Sequence, residues 1–313
     1  MPSSSLPLET HAVSKHYGRP WSPGTWALRD VDLTVPAGSV TALVGPNGSG
    51  KTTLIKICMS FERPTSGRVE VDGVDPWKNR DGALRRVGYV PQQPAVYRGL
   101  SVEDHLTMAR SLHPGFDVSY ARGRLEQLAI PLRQRADTLS GGQAAQLGLA
   151  MALGTRASVL LLDEPLANLD PLARREFIQI LLEALRADGS TALLSSHIVT
   201  DVEEACDRLA ILGNGKVLLD CPLAEARANH RLTDYDSPPA GATAIGSFAS
   251  RNAKRLTLWR LAEGAADGTA GSTGPNGAEG STDDHASAED AFLEDVVLGY
   301  LAAGRGTAGV KLS

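Results

Sequence analysis

The stretch Gly45-Pro46-Asn47-Gly48-Ser49-Gly50-Lys51-Thr52-Thr53 constrains this chain more than any other. The apolar run Val40-Thr41-Ala42-Leu43-Val44 leads into it, and Leu54-Ile55-Lys56-Ile57-Cys58-Met59 leads away. Strand, glycine-rich loop and helix in that order match the pattern G-x-x-x-x-G-K-[ST] in its proper context. The residue types follow from the chemistry. Gly45, Gly48 and Gly50 take backbone angles that turn successive N–H groups inward, making a nest for phosphate oxygens. The start of the following helix adds its partial positive charge. Lys51 is placed to reach β- and γ-phosphates, and the Thr52 hydroxyl to ligate Mg²⁺. Such a stretch binds a nucleoside triphosphate.

At 313 residues the chain is long enough for a large core with an appendage. A net charge of −5 gives no basic footprint, so no nucleic-acid partner is expected. No apolar run approaches the ~18 residues that cross a bilayer. Residues 1–7 lack the basic and apolar regions of a signal peptide, which implies a cytosolic location. Cys58, Cys206 and Cys221 are widely spaced without a C-x-x-C, and read as reduced thiols in packing positions.

Alternation predicts strands over residues 8–17 and 28–35, with a Pro/Gly/Trp segment between them. An aromatic residue just ahead of a phosphate loop is placed to stack on adenine. Tyr17 is the first choice, with Trp21 and Trp26 as competitors. A strand over residues 87–90 ends at Pro91-Gln92-Gln93, where an amide beside the phosphate site ligates the metal or orients the attacking water. Ser101-Val102-Glu103-Asp104 has the form of a capping box, and a second helical pattern runs over about residues 117–129. Two helices interrupting a β/α order predict an inserted helical subdomain.

Leu139-Ser140-Gly141-Gly142-Gln143 precedes a helical run, with Ser140 as N-cap. Behind it, Val159-Leu160-Leu161-Leu162-Asp163-Glu164 is a buried strand ending in two acids. Asp163 is where Mg²⁺ finds its second anchor, and Glu164 where the attacking water loses its proton or is oriented. Asp170-Pro171 opens another helix, and the strand over residues 191–196 ends at His197, a candidate γ-phosphate sensor. A hairpin through Gly213-Asn214-Gly215 closes the sheet. Beyond residue 226 one strand is predicted over 255–261, then a flexible Gly/Ala/Ser-rich linker over about 264–287. A terminal helix follows over about 288–303, with a docking stripe of Phe292, Leu293, Val296, Val297, Tyr300 and Leu301.

With these motifs in this order, residues 8–222 resemble the ATPase subunit of ATP-binding cassette (ABC) transporters. The resemblance implies an α/β fold: a P-loop NTPase core with an antiparallel β subdomain, a helical insert at about 93–155 and a small C-terminal extension. The cassette is then expected over residues 1–225 and the extension over 226–313. Gln92 falls at the family's Q-loop glutamine, with Gln93 adjacent. Leu139 to Gln143 match the LSGGQ signature, Asp170 ends the D-loop, and His197 is the switch histidine. The family implies a head-to-tail dimer in which Ser140, Gly141 and Gly142 contact ATP held by the other subunit. It also implies ATP and Mg²⁺ as cofactors and a separate membrane permease as partner. The cassette would lie on the inner face of the cell membrane through that permease. Two departures stand out. Ala144-Ala145-Gln146 follows the signature where most members carry Arg or Lys, and the D-loop reads Ala167-Asn168-Leu169-Asp170 where Ser-Gly-Leu-Asp is commoner. Residues 293–301 resemble the C-terminal extensions of ABC-2 type systems, mostly exporters.

Overall fold

The computed structural model describes residues 6–18, 24–234, 238–239, 241–249, 255–262 and 289–306. Trp21 and the linker at 264–287 lie outside the described residues. The chain divides into two compact units, Met1–Asp220 and Cys221–Ser313.

The first unit opens with β1 (Leu8–Tyr17) and β2 (Thr25–Val35), which pair antiparallel. Next come β3 (Val40–Val44), α1 (Lys51–Cys58) and β4 (Ser66–Val71), and β4 completes a three-stranded sheet in the order β2-β1-β4. After α2 (Arg80–Leu84) and β5 (Val87–Val90), the chain leaves the sheet for α3 (Val102–Leu112), α4 (Val118–Gln127) and α5 (Gly141–Gly154). It returns through β6 (Val159–Asp163), α6 (Pro171–Asp188), β7 (Thr191–Ser196), α7 (Val199–Ala205), β8 (Arg208–Gly213) and β9 (Lys216–Pro222).

A six-stranded sheet in the order β5-β6-β7-β3-β8-β9 forms the core, and its first five strands run parallel. Every residue of β3, β6 and β7 is buried. Covered on both faces, such strands read as apolar runs without alternation. This order fixes the site. β7 lies between β6 and β3, with Asp163 opposite Ser195 and Ser196 opposite Val44. The carboxyl ends of three strands therefore deliver the acids, the histidine segment and the phosphate loop to one edge. β8 and β9 are joined through Asn214 and Gly215, at φ 49° and 75°, the left-handed pair of a tight hairpin turn.

The helices between β5 and β6 have their own apolar cluster, including Val102, Leu106, Phe116, Leu125, Ile130 and Leu147. Both ends of the Ser101 capping box are made: Asp104 N–H donates to Ser101 Oγ, and Ser101 N–H to Asp104 Oδ2 at 2.8 Å. α4 stops two residues short of the expected end, because Ala129 turns left-handed at φ 52°.

The second unit contains α8 (Leu223–Ala228), β10 (His230–Asp234), β11 (Thr243–Ala249), β12 (Arg255–Arg260), β13 (Glu289–Asp290) and α9 (Leu293–Gly306). The strands form an antiparallel sheet in the order β11-β12-β10-β13. Only β12 was legible from alternation. The terminal helix begins at Leu293 rather than at 288, because Glu289 and Asp290 are drawn into pairing with Leu232 and Arg231. Phe292 is consequently 77% exposed and leaves the stripe, whereas Leu293, Val296, Val297 and Tyr300 are buried. α9 rides close on the sheet: a Cβ on Gly246 would lie 2.3 Å from the Gly299 carbonyl oxygen.

His230 ties this unit together, with Nδ1 on the Ala226 carbonyl at 2.8 Å and Nε2 on the Tyr300 hydroxyl at 3.2 Å. Burial is the main cause holding its pKa below the ordinary 6.5. The unfolded chain thus binds this proton more readily, so stability is expected to fall as pH drops below about 6.5. Thermal melts from pH 7.5 to 5 check this. A His230→Gln variant should show a flatter pH dependence than the wild type.

Candidate nucleotide site

In the loop between β3 and α1 the glycine-specific backbone falls at Gly48 and Gly50 and not at Gly45, whose φ is not positive. Gly48 and Gly50 take φ of 81° and 110°, and a Cβ on Gly50 would lie 2.5 Å from the Ala27 carbonyl oxygen. A Cβ on Gly45 would lie 2.2 Å from the Leu212 carbonyl oxygen, so β8 itself excludes a side chain there. Lys51 is the first residue of α1 and is buried, its Nζ donating to the Gly45 carbonyl at 2.7 Å. A cavity of about 440 Å³ opens here, lined by residues 47–53 with Ala27, Gln92 and Glu164.

At the end of β6, Asp163 Oδ1 accepts from Thr52 Oγ1 at 3.0 Å and from Ser195 Oγ at 3.0 Å. Ser195 Oγ in turn accepts the Glu164 N–H at 2.9 Å. One buried hydroxyl on β7 therefore orients both acids, a role the sequence reading missed. The signal was weak, since Ser195 reads as one more strand residue. Glu164 is held left-handed at φ 47°, a conformation that costs a non-glycine residue about 1–3 kcal/mol. Three elements meet on its buried carboxylate. Lys51 Nζ lies 3.0 Å from Oε1, while Gln92 Nε2 and His197 Nδ1 lie 3.4 and 3.1 Å from Oε2. A carboxylate only accepts, so His197 Nδ1 is the donor. Both glutamines are exposed, and Gln92, not Gln93, lines the cavity.

The residues present fit a triphosphate with a hard cation. Ser49 Oγ is buried within the loop with no hydrogen-bond partner among the described residues. Thr52, Asp163 and Gln92 supply hydroxyl, carboxylate and amide oxygen, the hard donors that suit Mg²⁺. Among the described residues no cluster of three His, Cys, Asp or Glu could hold a metal by itself. Nearby, Tyr89 has its pKa pushed up to about 12 by burial and then by the Asp163 charge, so it stays a neutral phenol.

Tyr17 is partly exposed and lies outside the cavity wall, its hydroxyl in contact with Thr53 and Glu62. Burial chiefly raises its pKa, and Lys15 Nζ sits 4.9 Å from its ring centroid. Trp26 is equally exposed and leans on His16 at 4.9 Å between ring centroids.

The signature residues gather elsewhere. Ser140 caps α5: its Oγ accepts the Gln143 N–H at 3.2 Å, and Gln143 Oε1 accepts the Ser140 N–H at 3.0 Å. Asp170 caps α6 by accepting the Leu172 and Ala173 N–H groups at 3.0 Å. Ser140, Gly142, Gln143 and Asp170 line a separate cavity of about 180 Å³, while a Cβ on Gly141 would lie 3.9 Å from the Asn168 carbonyl oxygen. None of the residues described in this lining also lines the phosphate cavity. The helix α5 forms despite Ala144-Ala145-Gln146, with Ala145 and Gln146 buried in it.

The family model described as ABC transporter matches residues 28–167. The "Phosphonates import ATP-binding protein PhnC" of Alcaligenes faecalis is 35% identical over 243 residues, covering 72% of this chain and 86% of that relative. The chain belongs to the ABC transporter family. The "Lantibiotic transport ATP-binding protein SrtF" of Streptococcus pyogenes is 32% identical over 219 residues, covering 68% of this cassette chain and 90% of that protein. A solved structure of the ATP binding subunit of an ABC transporter superposes with a TM-score of 0.63 at 29% identity, over 71% of this chain and 92% of that one. The protein is thus an ABC-type ATPase that binds and hydrolyses ATP. Among its described residues no helix is long and apolar enough to cross a membrane.

Proposed function

We propose that this cassette is the motor of an exporter: it binds ATP with Mg²⁺, closes head-to-tail on a second cassette and drives a separate membrane permease. The observation that carries this reading is the separation of the two cavities. Ser140, Gly142 and Gln143 are presented at a helix start in a lining that lacks their own chain's Lys51, which supports a second copy bringing them to a phosphate.

The contacts support the following division of labour. Lys51 and the loop N–H groups of residues 45–53 hold the β- and γ-phosphates. Thr52, Asp163 and Gln92 would hold Mg²⁺, which when bound would supply charge neutralisation on the phosphates. Glu164 takes the proton of the attacking water at its carboxylate, and Ser195 keeps its backbone in place. His197, tied to Glu164 through Nδ1, directs Nε2 to the γ-phosphate. Tyr17 stacks on the adenine, with Asp170 coupling the two sites. The cassette sits on the inner face of the cell membrane through its permease.

Export is supported by the C-terminal helix, whose sequence resembles ABC-2 type extensions. The relatives named above include an importer, so direction needs its own readout. Tagged Glu164→Gln protein, recovered from gently solubilised cells with ATP, should bring down a multi-spanning membrane protein. ATP-driven uptake of cargo into inverted vesicles carrying that membrane protein and the wild-type cassette would show export, and ATP-driven loss from them would show import. Recovery of ribosomes or nucleic-acid proteins instead would favour a soluble ABC ATPase and overturn the transport reading.

A further inference from the structure

Arg174 and Asp201 lie outside the nucleotide cavity, yet they join the two segments that carry its reactive groups. Arg174 belongs to the first turns of α6, just after Asp170. Its Nη2 donates to the carbonyls of Leu166 at 3.5 Å and Leu169 at 3.4 Å, within the turn that leads from Glu164 to Asp170. Its Nη1 meets Asp201 Oδ1 at 3.4 Å, and Asp201 stands on α7, the helix that begins directly behind His197. Asp201 is 3% exposed. Its Oδ2 and Arg174 Nε are buried without a hydrogen-bond partner among the described residues.

A guanidinium and a carboxylate normally meet through two parallel bonds. Here one edge is engaged at long distance and the second edge of each group is unpaired. With Asp201 buried and Arg174 24% exposed, a contact made this loosely recovers little of the cost of desolvating the carboxylate, so stability does not account for it. Position does. The Glu164–Asp170 turn hangs on the guanidinium from one side and α7 from the other, and Glu164 and His197 touch between them at 3.1 Å.

We infer that Arg174 and Asp201 form a clasp that positions the Glu164–Asp170 turn against His197, and that hydrolysis requires it although neither residue touches a reacting atom. This rests on the assignment of Glu164 and His197 to the hydrolytic step. The second edge of the clasp, Nε with Oδ2, is available to close when the turn and α7 approach. The electrostatics agree. Burial raises the Asp201 pKa above its ordinary value, outweighing the attraction of Arg174, with Glu204 raising it further and His197 lowering it. A carboxyl whose native pKa is raised costs folding free energy when ionised, and that cost fades as pH falls through the native pKa. Asp201→Asn should therefore melt no lower than the wild type at neutral pH.

The test compares full-length Arg174→Gln, Asp201→Asn and the double variant in steady-state ATP hydrolysis and thermal melting, with Glu164→Gln alongside. Each single variant is expected to lower kcat by about tenfold with an unchanged KM for ATP, and the double to be no worse than the worse single. Full kcat in folded Asp201→Asn would overturn the clasp. So would losses that multiply in the double variant, or a raised KM with kcat intact. Should Arg174→Gln fail to fold, Asp201→Asn alone decides, because its amide keeps the shape of the carboxylate and the Arg174 side chain left behind is 24% exposed to water. Full turnover in Glu164→Gln would instead overturn the assignment of the hydrolytic step, and is read separately.

Discussion

Replacing Glu164 by glutamine is expected to lower kcat for ATP hydrolysis by about 10²- to 10⁴-fold, the usual contribution of a positioned general base. ATP should still bind. The amide keeps the size of the carboxylate and still accepts from Lys51 Nζ, whose present distance to Oε1 is 3.0 Å. It cannot take a proton from water. Steady-state turnover and equilibrium binding of a labelled ATP analogue separate the two effects. Wild-type turnover would remove Glu164 from its role. The left-handed backbone at φ 47° supports the assignment, since such strain persists where the surroundings over-determine a conformation and clusters at active sites.

Lys51→Ala should fail at the earlier step. Loss of a charge-assisted contact to phosphate costs about 1.5–3 kcal/mol, roughly ten- to a hundredfold in Kd for ATP. A second effect appears without nucleotide. Lys51 and Glu164 are both buried, and removing one member of a buried pair leaves the other uncompensated, at about 3–5 kcal/mol. Gln92 and His197 still donate to Glu164 Oε2, so the lower end of that range is expected. The melting temperature of Lys51→Ala should fall, and adding Glu164→Gln should restore part of it. An additive double variant would mean that the pair is not coupled.

The phosphate loop, the two acids and the signature were legible because each demands unusual residue types at fixed spacing. Gly45 and Gly50 face carbonyl oxygens that exclude a Cβ, so the sequence has no alternative there. The parallel strands were legible as apolar runs, but their order was not, and it is the order that brings Ser195 beside Asp163. Ser195 carries no local mark, since its role is set by a partner strand distant in sequence. The Lys51–Glu164 pair and the clasp escaped for the same reason. In the second unit β10 and β11 were missed: His230–Asp234 mixes polar and apolar residues, and Thr243–Ala249 is rich in small ones. The start of α9 was misplaced because two acidic residues with good helix-start chemistry are taken by β13.

The measurement that bears most directly on the account is the mass of Glu164→Gln protein by sedimentation, with and without ATP and Mg²⁺. Two separate cavities that complete each other across copies predict a monomer without nucleotide and a dimer with it. A protein that binds ATP with Mg²⁺ and stays monomeric at saturation would contradict that account.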